Sequence, residues 1–164
     1  MNARDCPQVD LAKALGEIAS MPAFLERVFA SAGAQRLAMA PAAGGFSLLE
    51  HACHLRDLEA AGYAVRVRRL LEEERPELVG FDGARIARER DYCSQDAQAA
   101  LAAFTQTRQA LAVRLAALSE EERCREGVFA GGPVTLEGLV AMMAGHDGEH
   151  RAEIEALLAE LAAR

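Results

Sequence analysis

No tryptophan occurs in the 164-residue chain, tyrosine appears twice and phenylalanine six times. That scarcity of the aromatics that strands favour argues against an all-β fold. Long apolar runs are also missing: no segment approaches about 18 uninterrupted hydrophobic residues, so no membrane span is expected. Residues 1–10 lack a basic stretch followed by an apolar one, which leaves no secretory signal and points to a cytoplasmic protein. Basic residues are in deficit, 18 against 25 acidic, and the net charge of -7 repels phosphate backbones and anionic lipid surfaces. Neither nucleic acid nor a membrane is therefore expected as a partner. The four cysteines, Cys6, Cys53, Cys93 and Cys124, form no CxxC pair and no dense framework, as reduced thiols would.

What is present is a helix-former's vocabulary of alanine, leucine, glutamate and arginine, with 51% of residues hydrophobic, enough for a packed core. Residues 1–164 are expected to form a single domain. Leu11, Leu15, Ile18, Met21, Leu25, Val28 and Phe29 follow helical spacing, with Pro22 expected to kink or divide that helix. Ser47-x-x-Glu50 is a capping box that starts a long second helix, about residues 48–73, with Leu55, Leu58, Ala61, Val65 and Leu70 on its apolar face. Residues 74–93 carry Pro76, Gly80 and Gly83 without clear period, a connection long enough to cross the end of a bundle or hold a short element. Ser94 is the expected cap of a third helix to about Ser119, where a second capping box, Ser119-x-x-Glu122, starts a short turn. Thr135 is placed to cap a fourth helix that runs almost to Arg164. Four amphipathic segments with one long middle connection predict an all-α four-helix bundle with a crossover.

All four histidines fall into two clusters, His51 and His54 on the second predicted helix, His146 and His150 on the fourth. An i,i+4 pair projects two imidazoles from one helix face, the spacing that lets one helix give two ligands to one metal ion. His54 is the better third ligand, because it shares its face with Glu50, Leu58, Ala61 and Val65, whereas His51 stands on a rotated edge. Three neutral imidazoles leave a coordination position for water or substrate, as in catalytic sites. From spacing alone, surface or hydrogen-bonded core histidines explain the same pattern equally well. His51 is open to reading as a fourth ligand or a proton shuttle.

The segment Phe46-Ser47-x-x-Glu50-x-x-x-His54-Leu55-x-Asp57-x-Glu59 resembles the second-helix signature of the DinB-like (DinB/YfiT) superfamily. His146-Asp147-x-x-His150-x-x-x-Ile154 is similar to that superfamily's fourth-helix pattern, and Asp91-Tyr92, Asp96 and Phe104-x-x-x-Arg108 fall where such chains place similar residues. The resemblance implies an up-down-down-up four-helix bundle, a homodimer, and a divalent metal, zinc or nickel, on His54, His146 and His150. Phe46 stands where many members have tryptophan, a packing change. It further implies an enzyme that activates a low-molecular-weight thiol on the three-histidine site and transfers it to a small-molecule electrophile. Hydrolysis by water on the same ion is the alternative, as is a metal-binding interaction module without catalysis. Glu50 and Asp57 are the candidate catalytic carboxylates: Glu50 as a base near the metal or an orienter of His54, Asp57 as a carboxylate that fixes an imidazole tautomer. Asp147 is a candidate for the same task beside His146, and both aspartates read equally well as ordinary surface or helix-start charges. Its neighbourhood also excludes a zincin, since Asp147 stands where the HExxH helix needs glutamate.

Overall fold

The computed structural model describes residues 10–164; Cys6 lies outside them, as does Val9, where the sequence pattern of the first helix begins. Helix α1 (Leu11–Ala32) opens on Asp10, whose carboxylate accepts the Lys13 amide. Helix α2 (Leu48–Leu58) opens on the Ser47 capping box and runs through a π-turn (Glu59–Tyr63) into α3 (Ala64–Glu72). The crossover holds a short strand β1 (Glu77–Leu78), helix α4 (Gly83–Glu89) and a 3-10 turn (Tyr92–Ser94). Helix α5 (Ala97–Ala116) is capped by Asp96, not by Ser94, which is spent in that 3-10 turn. The Ser119 box starts α6 (Glu120–Arg123), and Thr135 caps α7 (Leu136–Ala163). No described helix is long and apolar enough to cross a membrane.

The bundle is formed by α1, the α2–α3 rod, α5 and α7, with α1 on α5 and α7, and α2 on α5. One feature was absent from the helical reading: strands β2 (Glu126–Phe129) and β3 (Gly132–Thr135) form a hairpin, and β1 adds parallel to β2. The turn between them needs left-handed backbone at two successive residues, Ala130 at φ 52° and Gly131 at φ 80°, as tight hairpin turns do. Gly127 and Pro133 conceal these strands from any hydrophobic alternation.

Pro22 neither divides α1 nor leaves a gap in its hydrogen bonding. Without an amide hydrogen, Pro22 frees the carbonyl of Ile18 four residues back. Arg108 Nη1, reaching across from α5, donates to that oxygen at 3.0 Å. The same guanidinium donates from Nε and Nη2 to the two oxygens of Glu59 at 2.8 Å each, and from Nη1 and Nη2 to Asp147. Its donors thus tie all four bundle segments at one buried point, with Arg108 and Asp147 1% exposed and Glu59 0%.

The predicted second helix is continuous, but its apolar stripe is not the one expected. The π-turn inserts one extra residue per turn, which rotates everything after it. Leu55, Leu58 and Leu70 are buried as expected, but Ala61 is exposed and Val65 only half-buried, while Glu59 faces Arg108 and Tyr63, Arg66 and Val67 turn inward.

Candidate metal centre

The capping box fixes where α2 begins and so which of its residues look inward: His51 and His54 are 3% and 8% exposed. On α7, His146 and His150 follow each other by one turn, with Asp147 between them anchored to Arg108. The result is a convergence of Nε2 atoms: His146 stands 3.5 Å from His54 and 3.1 Å from His150. Around a tetrahedral ion with Zn–N of about 2.0–2.1 Å, adjacent nitrogens lie about 3.3 Å apart, so the three histidines fit a divalent cation as placed. The Nδ1 atoms of His54 and His146 are buried without a hydrogen-bond partner. With a cation among the three Nε2 lone pairs, the hydrogens of His54 and His146 would sit on those Nδ1 atoms, the tautomer a metal ligand needs.

The third ring is held differently. His150 Nδ1 meets His51 Nδ1 at 2.9 Å, with the rings nearly perpendicular, so His51 sits behind His150 and not beside the other two. With the hydrogen on His150 Nδ1, His51 accepts it and fixes the His150 tautomer, as outer partners of metal-binding histidines do. Glu153, exposed, lies 3.5 Å from His150 Nδ1 and 3.9 Å from His51 Nε2. A cavity of about 350 Å³, lined by Phe46, His51 and Glu153 among others, opens onto this side.

Aromatic rings enclose the cluster. Phe46 packs 5.6 Å from His51 and 5.5 Å from His54, Phe81 packs 5.8 Å from His54, and Tyr63 lies 6.2 Å from His146. Gly83, the first residue of α4, presses its backbone onto His54, where a Cβ would stand 2.5 Å from Cε1 and 2.7 Å from Nδ1. The crossover therefore covers the site through Phe81 and Gly83.

The two candidate carboxylates have other partners. Glu50 Oε2 accepts the Ser47 amide at 2.8 Å and Oε1 accepts from the Cys93 thiol at 3.3 Å. Asp57 accepts from Arg56 at 2.8 Å and from the Tyr92 hydroxyl at 2.7 Å, with Arg90 2.9 Å away, and these partners hold its carboxyl below the usual range against its burial. Asp147 is bound to Arg108, so it fixes the position of α7 and not a histidine tautomer. Spacing missed Gly83, Phe81 and Tyr63, whose proximity to the histidines is set by the crossover and the π-turn; the i−3 offset of His51 from His54 was the only sequence trace of its role.

Burial pushes the histidines down: His51 and His54 to about 4, with His146 and His150 lowered as well and His150 further repelled by its neighbours. In the unfolded chain they return to about 6.5. Below that pH the unfolded state takes up protons that the folded state refuses, so the contribution to stability is complete above about 6.5 and is lost as pH falls toward 4. Metal-free protein is accordingly expected to lose on the order of a few kcal/mol between pH 7.5 and 5. Urea midpoints measured at the two pH values check this; equal midpoints would mean that the rings are solvated in the fold.

Comparison with known proteins identifies the family and the fold. The sequence model of the DinB superfamily matches residues 17–154. Among solved structures, YfiT from Bacillus subtilis superposes with a TM-score of 0.85 at 20% identity, over 99% of this chain and 94% of that one. YfiT is described as "a probable metal-dependent hydrolase with an unusual four-helix bundle topology". No match is found among curated proteins.

Proposed function

The chain belongs to the DinB superfamily, and on that premise we propose that it is a metal-dependent enzyme whose centre, His54, His146 and His150, activates a low-molecular-weight thiol for transfer to an electrophile. The observation that carries this reading is the convergence of three histidine Nε2 atoms, with His146 3.5 Å from His54 and 3.1 Å from His150; an ion held by three imidazoles would have room for a further ligand. A divalent ion, zinc or nickel, held by His54, His146 and His150 would supply Lewis acidity and lower the pKa of a bound thiol or water. The protein's own part is to keep the site uncharged, oriented and partly dry. His51 holds the His150 ring, Gly83 admits the His54 ring, and Phe46, Phe81 and Tyr63 keep water from its edges. Three neutral imidazoles would leave the charge of a bound ion uncompensated, which would favour an anionic sulfur over a neutral one. Both oxygens of Glu50 and of Asp57 are already hydrogen-bonded or paired, so in this reading they shape α2 and its contacts with the crossover, and do not move a proton on substrate.

Hydrolysis is the second reading, favoured by the description of YfiT, whose fold this chain shares. It uses the same residues with water in place of the thiol. A small-molecule substrate, a homodimer and a cytoplasmic location come with either reading from the family resemblance. The test is to incubate zinc-loaded and nickel-loaded protein with electrophile and ester panels, each with and without thiol. Consumption of electrophile only when thiol is present supports transfer; ester cleavage independent of thiol overturns it in favour of hydrolysis.

A further inference from the structure

Glu153 is a carboxylate beside the histidines that nothing in the fold spends. Among the described residues it accepts no hydrogen bond and pairs with no lysine or arginine; its charged-group neighbours are two imidazoles, with His150 Nδ1 at 3.5 Å and His51 Nε2 at 3.9 Å. Glu160, two turns further along α7 and on the wall of the same cavity, is different. It accepts the Ala42 amide at 2.9 Å and pairs with Arg164. The hydrogen bond between His51 and His150 accounts for the two rings and leaves the Glu153 carboxylate over.

The three residues meet because His150 and Glu153 stand three apart on one face of α7, and His51 faces them from α2. A donor atom from each lies within 4.8 Å of the others. Two of the separations, 2.9 Å between the Nδ1 atoms and 3.5 Å from His150 Nδ1 to Glu153 Oε2, bracket the about 3.3 Å between neighbouring donors of a tetrahedral ion. This is the far edge of the His150 ring, since its Nε2 meets His146. His51 and Glu153 also line the cavity of about 350 Å³, which gives an ion on this side room for water in its remaining positions. Two imidazole nitrogens and one carboxylate oxygen suit zinc, nickel or cobalt, whereas magnesium and calcium take oxygen ligands.

We propose that His51, His150 through Nδ1, and Glu153 form a second divalent-cation site, which opens to the cavity and shares only His150 with the first. Filling it sends the proton held between His51 and His150 to solvent, so that with both sites filled His150 bridges them as imidazolate, and Glu153 offsets part of the added charge. Two like charges across one ring repel, so the second site binds more than about a hundredfold more weakly than the first and fills only with metal in excess. The test is calorimetric titration of the metal-free full chain, its accessible thiols alkylated, with zinc. Wild type takes up zinc in two steps. Glu153→Gln, at an exposed position where the fold is indifferent, weakens the second step by more than about tenfold and the first by less. His51→Gln loses the second step as well, and His54→Ala loses the first and keeps the second, with circular dichroism unchanged in each. If His54→Ala leaves both steps in place while Glu153→Gln loses one, the triad reading falls and this site stands. A single step in the wild type, or a second step of equal affinity in wild type, Glu153→Gln and His51→Gln, overturns the site.

Discussion

Alanine at His150 is expected to remove metal binding, with wild-type protein holding about one zinc per chain and the variant losing more than about a hundredfold in affinity. His150 is the ring with most to lose: its Nε2 stands 3.1 Å from that of His146, and its Nδ1 is bonded to His51. His54→Ala and His146→Ala should behave alike, since three donors are the fewest that define the site. His51→Gln should cost about 10–100-fold and no more, because it removes the support of a ligand and not a ligand. Gly83→Val tests the same centre from outside it. A Cβ there cannot coexist with the His54 ring at 2.5 Å, so metal affinity should fall although no donor has been touched. Competition titration against a chelator of known affinity, with circular dichroism as the control for folding, reads all five variants. Undiminished affinity in His150→Ala would place the ion elsewhere.

How much of this was legible beforehand depended on whether the signal was local. Caps are local, so Asp10 aside, the Ser47, Ser119 and Thr135 starts could be read from four-residue patterns, and the i,i+4 spacing of His146 and His150 carried their shared face. The π-turn is not local. Nothing in the run from Glu59 to Tyr63 requires it; it forms where Glu59 can reach Arg108, 49 positions away. With it went the expected inward face of Ala61 and Val65, and with that the placement of Tyr63 against His146. The partner of Asp147 was illegible for a related reason. A carboxylate beside a metal-binding histidine looks like its partner until the structure shows a guanidinium closer at hand. The cap at Ser94 failed differently, because Asp96 two residues on offers the stronger acceptor, bonding the Ala99 amide at 2.6 Å.

Replacing Arg108 by methionine is expected to destabilise the fold by about 3–5 kcal/mol, the cost of breaking a buried ion pair from one side. Three groups are stranded at once: both oxygens of Glu59, both of Asp147, and the Ile18 carbonyl that Pro22 already deprives of its helical partner. Against a typical domain stability of about 5–15 kcal/mol, such a loss leaves a marginal protein. The deficit should shrink on acidification. Burial already raises the Glu59 carboxyl against the guanidinium's pull, and without Arg108 that rise is unopposed, so the folded variant binds protons more readily than the unfolded chain and recovers stability as pH falls. Urea unfolding of wild type and Arg108→Met at pH 7 and pH 5 reads both effects, a large gap at the first and a smaller one at the second. Adding Glu59→Leu and Asp147→Leu to Arg108→Met separates charge from packing, because an apolar replacement of a whole buried network is often neutral. Full recovery of stability with weakened zinc binding would assign the network to positioning: Asp147 directly follows His146, and a helix freed from its anchor can slide or turn without unfolding. Recovery of both would leave the network a purely electrostatic demand of its own buried charges, with the caps and the two apolar clusters of the core sufficient to set α7.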